Sequence, residues 1–399
     1  MKKVKVGIGE LKFGMYVSEL DRPWTDTPFM FQGFVLKDDE QLQTLRKFCQ
    51  WVMVDADLSE AGAASSPVGA TPLTGTGKVQ HIERVAVEHE LPRARDAYSA
   101  TESALAKAFE SVGADQTFDS AAVKGAVADM SQSVLRNPDA AVLVAVMKEH
   151  GNEVLDRAMK VSLYMIMFAR FMGMEEASIE RAGLVGLLQD IGMVKLPPAI
   201  IARKGPLTDP ERVLVKTHIE HSLKMLSETP GIGEEVAQLA VLHHERHDGS
   251  GYPRGLKGEA IPTIGAIAGL VDTFCALTAT RPYADPLAPS RALGMMHKWR
   301  GQIFHPTLIE EFIRCIGVFP VGSVVALNSG EVGVVIAQNA VKRLQPRIMV
   351  VRDTKGNPLR PQKLLDLARS PKVSADETYR ILRTLEYGQA GVGMKDLFV

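Results

Sequence analysis

The sequence has little cysteine, no excess of charge of either sign and no long apolar run. Its three cysteines, Cys49, Cys275 and Cys315, are too few and too scattered for a disulfide framework, and none forms a CxxC pair. This argues against a disulfide-stapled secreted scaffold, a zinc ribbon and a thioredoxin-like motif. Forty-six Lys and Arg against 47 Asp and Glu leave a net charge of −1 on 399 residues. Bulk electrostatics therefore give no reason to expect nucleic-acid or membrane-surface binding. The start Met1-Lys2-Lys3 is basic, but Lys5, Glu10 and Lys12 interrupt the stretch Val4–Met15, unlike a secretory apolar region. Val161–Met174 is the longest helical apolar stretch; it carries Arg170 and is too short to span a bilayer. A cytoplasmic protein without a membrane span is expected. The remaining composition, 46% hydrophobic and 23% charged, suffices for a sizeable core. At roughly 100–200 residues per domain the length suggests two or three domains.

Residues 1–60 read as a small α+β unit. Val4–Ile8 and Trp51–Asp55 alternate like strands, and Gln41–Phe48 between them has helical spacing. Residues 61–80, rich in Ala, Ser, Pro, Gly and Thr, read as a flexible linker. From there the chain is mostly helical. A connector over 81–138 contains helices at Ala100–Val112 and Ala121–Leu135, followed by a long helical run over Val142–Met174 and another at Ser178–Leu188. Thr208, with Glu211 three residues on, is a helix N-cap signal. Glu234–His243 and Ile264–Ala279 are further apolar helices. Beyond Phe319-Pro320 three short strands are expected, at Ser323–Leu327, Glu331–Ala337 and Arg347–Val351, and then a polar tail.

The chemistry-bearing residues lie in the helical middle. Gln189-Asp190 ends an apolar helix, His218 begins another helical segment, and His243-His244 end a third. Asp272 sits inside the apolar run Ile264–Ala279, where a carboxylate is costly unless paired or bound to a cation. Imidazoles with carboxylates suit Fe, Mn or Zn better than Ca. Each group alone is commonplace; their order along the chain is specific.

The block His243-His244-Glu245-Arg246-His247-Asp248-Gly249-Ser250-Gly251-Tyr252-Pro253, followed by Ile261-Pro262 and Arg281-Pro282-Tyr283, resembles the HD-GYP family. These are bacterial cyclic di-GMP phosphodiesterases of the HD metal-phosphohydrolase superfamily. The likeness covers 139–316, and residues 1–60 resemble the small domain that often precedes HD-GYP. It implies a mostly α fold: an HD-type helical bundle with a small α+β N-terminal domain and a small β C-terminal appendage over 317–399. It also implies metal ligands at Glu153, Asp190, His218, His243, His244 and Asp272, with Asp190 catalytic. Tyr252 and Arg281 match dinucleotide-contacting positions. The loop Gly251, Tyr252, Pro253 matches one that docks diguanylate cyclase domains.

The sequence departs from the family pattern at several points. Arg157 and Gln189 stand where two ligand histidines belong, Met193 and Cys275 where a Lys and an acid belong, and Ala284 and Ala266 at two basic positions. One divalent transition ion on Asp190, His218, His243 and His244 is then expected. Arg157 would stand in for a second metal, neutralising Glu153, one helical turn away, and Asp272. Two functions are compatible with this pattern: a weakly active or inactive cyclic di-GMP-binding protein, or a working phosphodiesterase using one ion.

Overall fold

The structure, a computed structural model, describes residues 3–21, 34–36, 38–55, 79, 81, 84–148, 151–201, 203, 205–279, 286–339 and 342–385. The chain divides into two units, residues 1–77 with 339–344 and residues 78–338 with 345–399. Of the expected linker at 61–80 only Val79 is described, and Arg281 also lies outside the described residues.

In the first unit, β1 (Lys3–Gly7), β2 (Tyr16–Leu20), β3 (Phe34–Val35) and β4 (Trp51–Asp55) form an antiparallel sheet in the order β1-β4-β2-β3. Helix α1 (Asp39–Phe48) starts where the Asp38 carboxylate accepts from the Gln41 N–H at 2.8 Å. Leu42 and Leu45 of α1 pack with Val17, Val52 and Val54 in one apolar cluster. The alternation of the strands and the spacing of the helix thus bury one face of each.

The second unit is mostly α. Its first helices are α2 (Val87–Gly113), α3 (Ser120–Arg136) and α4 (Pro138–Met147). Next come α5 (Glu153–Phe171), α6 (Glu176–Leu188), α7 (Pro198–Ile201), α8 (Asp209–Lys216) and α9 (His218–Glu228). The series ends with α10 (Glu234–Ala240), α11 (Thr263–Thr278), α12 (Pro289–His297) and α13 (Pro306–Ile316). The Thr208 cap signal is realised, with the Glu211 carboxylate accepting from the Thr208 N–H at 2.7 Å. None of the described helices is long and apolar enough to cross a membrane.

The expected helical run Val142–Met174 is interrupted. It is split between α4 and α5, and the Asn152 side chain starts the new helix by accepting from Val154 N at 3.0 Å and Leu155 N at 3.3 Å. Residues 148–153 carry no apolar side chain, and the Asn152 cap marks the start of the new helix. In consequence Glu153 opens a helix at an exposed position instead of lying within one.

The C-terminal sheet has five antiparallel strands rather than three. β5 (Val324–Leu327), β6 (Val332–Ala337) and β7 (Arg347–Arg352) fall where the alternation indicates, while β8 (Pro358–Asp366) and β9 (Ile381–Leu385) arise from the expected polar tail. The order β8-β7-β6-β5-β9 puts these two at the edges. Pro358 and Pro361 of β8 donate no ladder hydrogen bond and are tolerated there for that reason.

Candidate functional site

Asp190, His218, His243 and His244 come from three chain segments that two glycines bring close. Asp190 follows the end of α6 and precedes a tight 3-10 turn over Ile191–Lys195. A Cβ on Gly192 would overlap the His218 carbonyl oxygen and lie 2.5 Å from Ser222 N. The missing side chain lets the turn rest on the first turns of α9, where Ser222 Oγ accepts from Gly192 N at 2.9 Å and donates to the Gln189 carbonyl at 2.9 Å. Likewise a Cβ on Gly251 would overlap Arg246 N and lie 2.5 Å from Glu245 Cα and from the His244 carbonyl oxygen. That glycine folds the loop back onto the histidine pair.

The result is a triangle of donor atoms. Asp190 Oδ1 lies 3.4 Å from His218 Nε2 and 3.4 Å from His243 Nε2, and the two Nε2 atoms are 3.4 Å apart. Each ring turns its other nitrogen to a backbone carbonyl: His218 Nδ1 to Val215 O at 2.6 Å and His243 Nδ1 to Ala240 O at 2.8 Å. A neutral imidazole that donates from Nδ1 carries its lone pair on Nε2. Two lone pairs and a carboxylate oxygen thus face one another in a buried space, which is repulsive unless a proton or cation sits among them. An ion about 2.0–2.1 Å from each tetrahedral ligand separates the ligands by about 3.3–3.4 Å, the spacing seen here. His218, His243 and His244 also have ligand atoms within 4.8 Å of one another. The donor set therefore fits a divalent transition ion.

The charges are set by this packing. Burial opposes ionisation of Asp190, yet His243 above all, with Arg157 and His218, holds its carboxyl well below the usual range. Burial lowers the pKa of His218, and burial with the neighbouring His243 lowers that of His244 strongly, so both favour the neutral, ligating form. For His243 burial also pulls downward, but the facing Asp190 prevails and raises it.

Asp272 is brought in through Arg157. The guanidinium donates from Nε to Asp272 Oδ1 at 2.9 Å, and from one terminal nitrogen to Oδ1 at 2.7 Å and Oδ2 at 2.6 Å. The Asp272 side chain is 5% exposed. Burial disfavours the arginine's charge, but Asp272 and Asp190 outweigh it and raise its pKa. Arg157 thus pairs with Asp272, whereas no pairing with Glu153 is found among the described residues. Glu153 is exposed and lines a shallow groove with Val194, Leu196 and Ile201, so the expected neutralisation of both acids by Arg157 reduces to Asp272 alone. Gln189, expected to stand where a ligand histidine belongs, is fully buried, and neither its Oε1 nor its Nε2 has a hydrogen-bond partner among the described residues. Met193 donates its N–H to the Asp190 carbonyl at 2.9 Å. Cys275 is buried, its thiol pushed up to about 12 by burial and the charge of Asp272.

Three residues escape sequence reasoning. Glu245, 4% exposed, accepts from Arg254 N at 2.7 Å and Leu256 N at 2.9 Å and so fixes the far side of the glycine loop. Lys160, on α5, is a cation acting on Cys275, and burial lowers its pKa. Lys216, at the end of α8, holds its ammonium 4.7 Å from the Tyr252 ring centroid. The Tyr252 ring is itself stacked on His244, with centroids 4.6 Å apart and planes 20° from parallel. A helix-end lysine has no sequence signal for this, because its partner lies on a distant loop.

A helical bundle carrying an aspartate after one helix and histidines on two neighbouring segments is the arrangement of an HD-type domain. The HD domain family matches residues 141–308, a domain of unknown function (DUF3391) matches 3–123, and the KOW domain associated with HD domain matches 324–376. Over 380 residues the chain is 32% identical to the cyclic di-GMP phosphodiesterase PA4108 of Pseudomonas aeruginosa, covering 92% of this chain and 89% of that one. It is 35% identical over 147 residues to a cyclic di-GMP phosphodiesterase of Thermotoga maritima, covering 37% of this chain and 40% of the other. It is also 33% identical over 152 residues to the 3'3'-cGAMP-specific phosphodiesterase 2 of Vibrio cholerae, covering 38% and 29%. The chain belongs to the HD-GYP family.

Proposed function

We propose that this protein is cytoplasmic, binds cyclic di-GMP at a degenerate centre holding one divalent ion, Fe, Mn or Zn, and hydrolyses the phosphodiester weakly or not at all. Asp190, His218, His243 and His244 would hold the ion. It would acidify water and draw negative charge from a phosphate oxygen. The observation that carries this reading is the triple hydrogen bond of Arg157 to Asp272. A guanidinium there neutralises the carboxylate that a second ion would need, and its charge repels such an ion. Gln189 offers an amide in place of imidazole, a poorer ligand for a transition metal. Hydrolysis by a metal pair depends on two ions that share the attacking and leaving oxygens. Losing one strong electrostatic stabiliser costs about 10²–10³ in kcat.

A second reading, a working single-ion phosphodiesterase, is favoured by the convergence of Asp190, His218 and His243 at 3.4 Å. Asp190 would then orient the attacking water. Turnover of cyclic di-GMP with Mn²⁺ and Fe²⁺, by wild type and by the double variant Arg157→His/Gln189→His, separates the two. The first reading expects little or no turnover by wild type and a gain of at least about 10²-fold in the variant; efficient turnover by wild type would establish the second. Arg281 and Tyr252 are both retained as dinucleotide contacts. A diguanylate cyclase domain docking at Gly251, Tyr252 and Pro253 would meet exposed Pro253 and Arg254 first. The divisions 1–60, 61–80, 81–138, 139–316 and 317–399 belong to this proposal.

A further inference from the structure

We infer that Lys216 is a substrate-binding residue that holds the phosphate of a cyclic dinucleotide lying away from the ion. The inference rests on the binding reading above and deepens it. Lys216 stands two residues before the ligand His218, in the last turn of α8, where a cation is favoured by the helix dipole. That preference alone would leave the ammonium in solvent. Instead it lies 4.7 Å from the centroid of Tyr252, whose ring is stacked 4.6 Å from His244. The residue is exposed, and among the described residues no carboxylate pairs with it. An exposed cation held by an aromatic face and not by an acid is available to an anion, because a cation–π contact at an exposed site is worth only about 0.5–1 kcal/mol.

Its position also fits the ligand's chemistry. A cyclic dinucleotide carries two phosphodiesters, each with one negative charge. One of them would meet the ion among Asp190, His218, His243 and His244. The other, across the macrocycle, gains from a cation beside the histidine cluster, a role that Lys216 would share with the Arg281 contact proposed above. Arg157 is largely committed to Asp272, which takes its Nε and one terminal nitrogen. Arg246 is turned back, donating to the carbonyls of His243 at 3.0 Å and Glu245 at 3.1 Å. Lys216 bridges from the His218 segment to the glycine loop and stands beside the histidine cluster.

The test is calorimetric binding of two probes by the full chain loaded with Mn²⁺: cyclic di-GMP, with two phosphodiesters, and linear GpG without a terminal phosphate, with one. Lys216→Ala is expected to weaken cyclic di-GMP about tenfold and to leave GpG within about twofold. The salt dependence of cyclic di-GMP affinity should become shallower, because one screened charge contact is lost. Lys216→Arg should retain wild-type binding. Unchanged affinity and salt slope for cyclic di-GMP in Lys216→Ala would overturn the inference. So would an equal loss for both probes, or a loss of bound Mn²⁺, because each would mark a structural role. Failure of wild type itself to bind cyclic di-GMP would instead overturn the functional reading on which the inference stands.

Discussion

At His243 a proton would compete with the proposed ion for one lone pair. The Asp190 carboxylate, 3.4 Å away, raises the pKa of His243 although burial opposes it. In the ion-free protein the stabilisation from protonated His243 is full below the unfolded imidazole pKa of about 6.5 and is lost as pH rises through the higher folded value. Ion affinity has the opposite sign: it should rise with pH through that window, as Mn²⁺ titration calorimetry between about pH 5.5 and 8.5 would show. A flat profile would mean that His243 does not ligate. Glu245 gives a second prediction at this scale. Its carboxylate satisfies Arg254 N and Leu256 N, so Glu245→Ala should cost about 2 kcal/mol in urea unfolding and open the loop to proteolysis. His243 and His244 are legible in the sequence because they open the contiguous block 243–253, and Asp190 and His218 because the family resemblance places them in order before it. The partners of Glu245, Lys216 and Arg157 are not, since each depends on a fold-made neighbour: two backbone N–H groups, a ring on a distant loop, and Asp272 in preference to Glu153.

Among the elements, the break between α4 and α5 and the seat of the 3-10 turn on α9 shape the site. Asn152→Ala removes the cap of α5 and should cost about 1 kcal/mol, read as a lower urea midpoint at unchanged slope. Gly192→Ala has the larger consequence. The new Cβ would overlap the His218 carbonyl and stand 2.5 Å from Ser222 N, so the turn must lift from α9. A cost of about 1–3 kcal/mol is expected, together with weaker Mn²⁺ binding, because Asp190 moves with the turn. A variant that keeps wild-type ion affinity would show that the donor triangle tolerates this displacement. The spacing of apolar residues predicts most helices because their buried faces are periodic. It misses the α4–α5 break because both flanking segments are apolar, and it misses β8 and β9 because edge strands with exposed faces do not alternate strongly.

For the whole molecule, the C-terminal sheet is joined to the helices of its unit by specific contacts. Gln338 N donates to Asp139 Oδ2 at 2.8 Å, the Gln338 side chain donates to the Ile316 carbonyl, Arg347 pairs with Glu88, and Gly322 rests against Val146. Removing residues 318–399 should therefore lower Tm by at least about 3 °C, the shift expected from about 1 kcal/mol in a domain of this size. An unchanged Tm would mean that the sheet folds independently. Composition alone indicates a charge-balanced chain of two or three domains; the ligand count at its centre depends on the positions of its histidines, not on their total of ten. The most direct test of that centre is the metal content of the purified full-length protein after equilibration with Fe²⁺, Mn²⁺ or Zn²⁺ and removal of excess. The account predicts about one ion per chain, lost in His218→Ala and His243→Ala. Two or more tightly held ions per chain in the wild type would contradict it, because Arg157 and a second ion cannot both occupy the space beside Asp272.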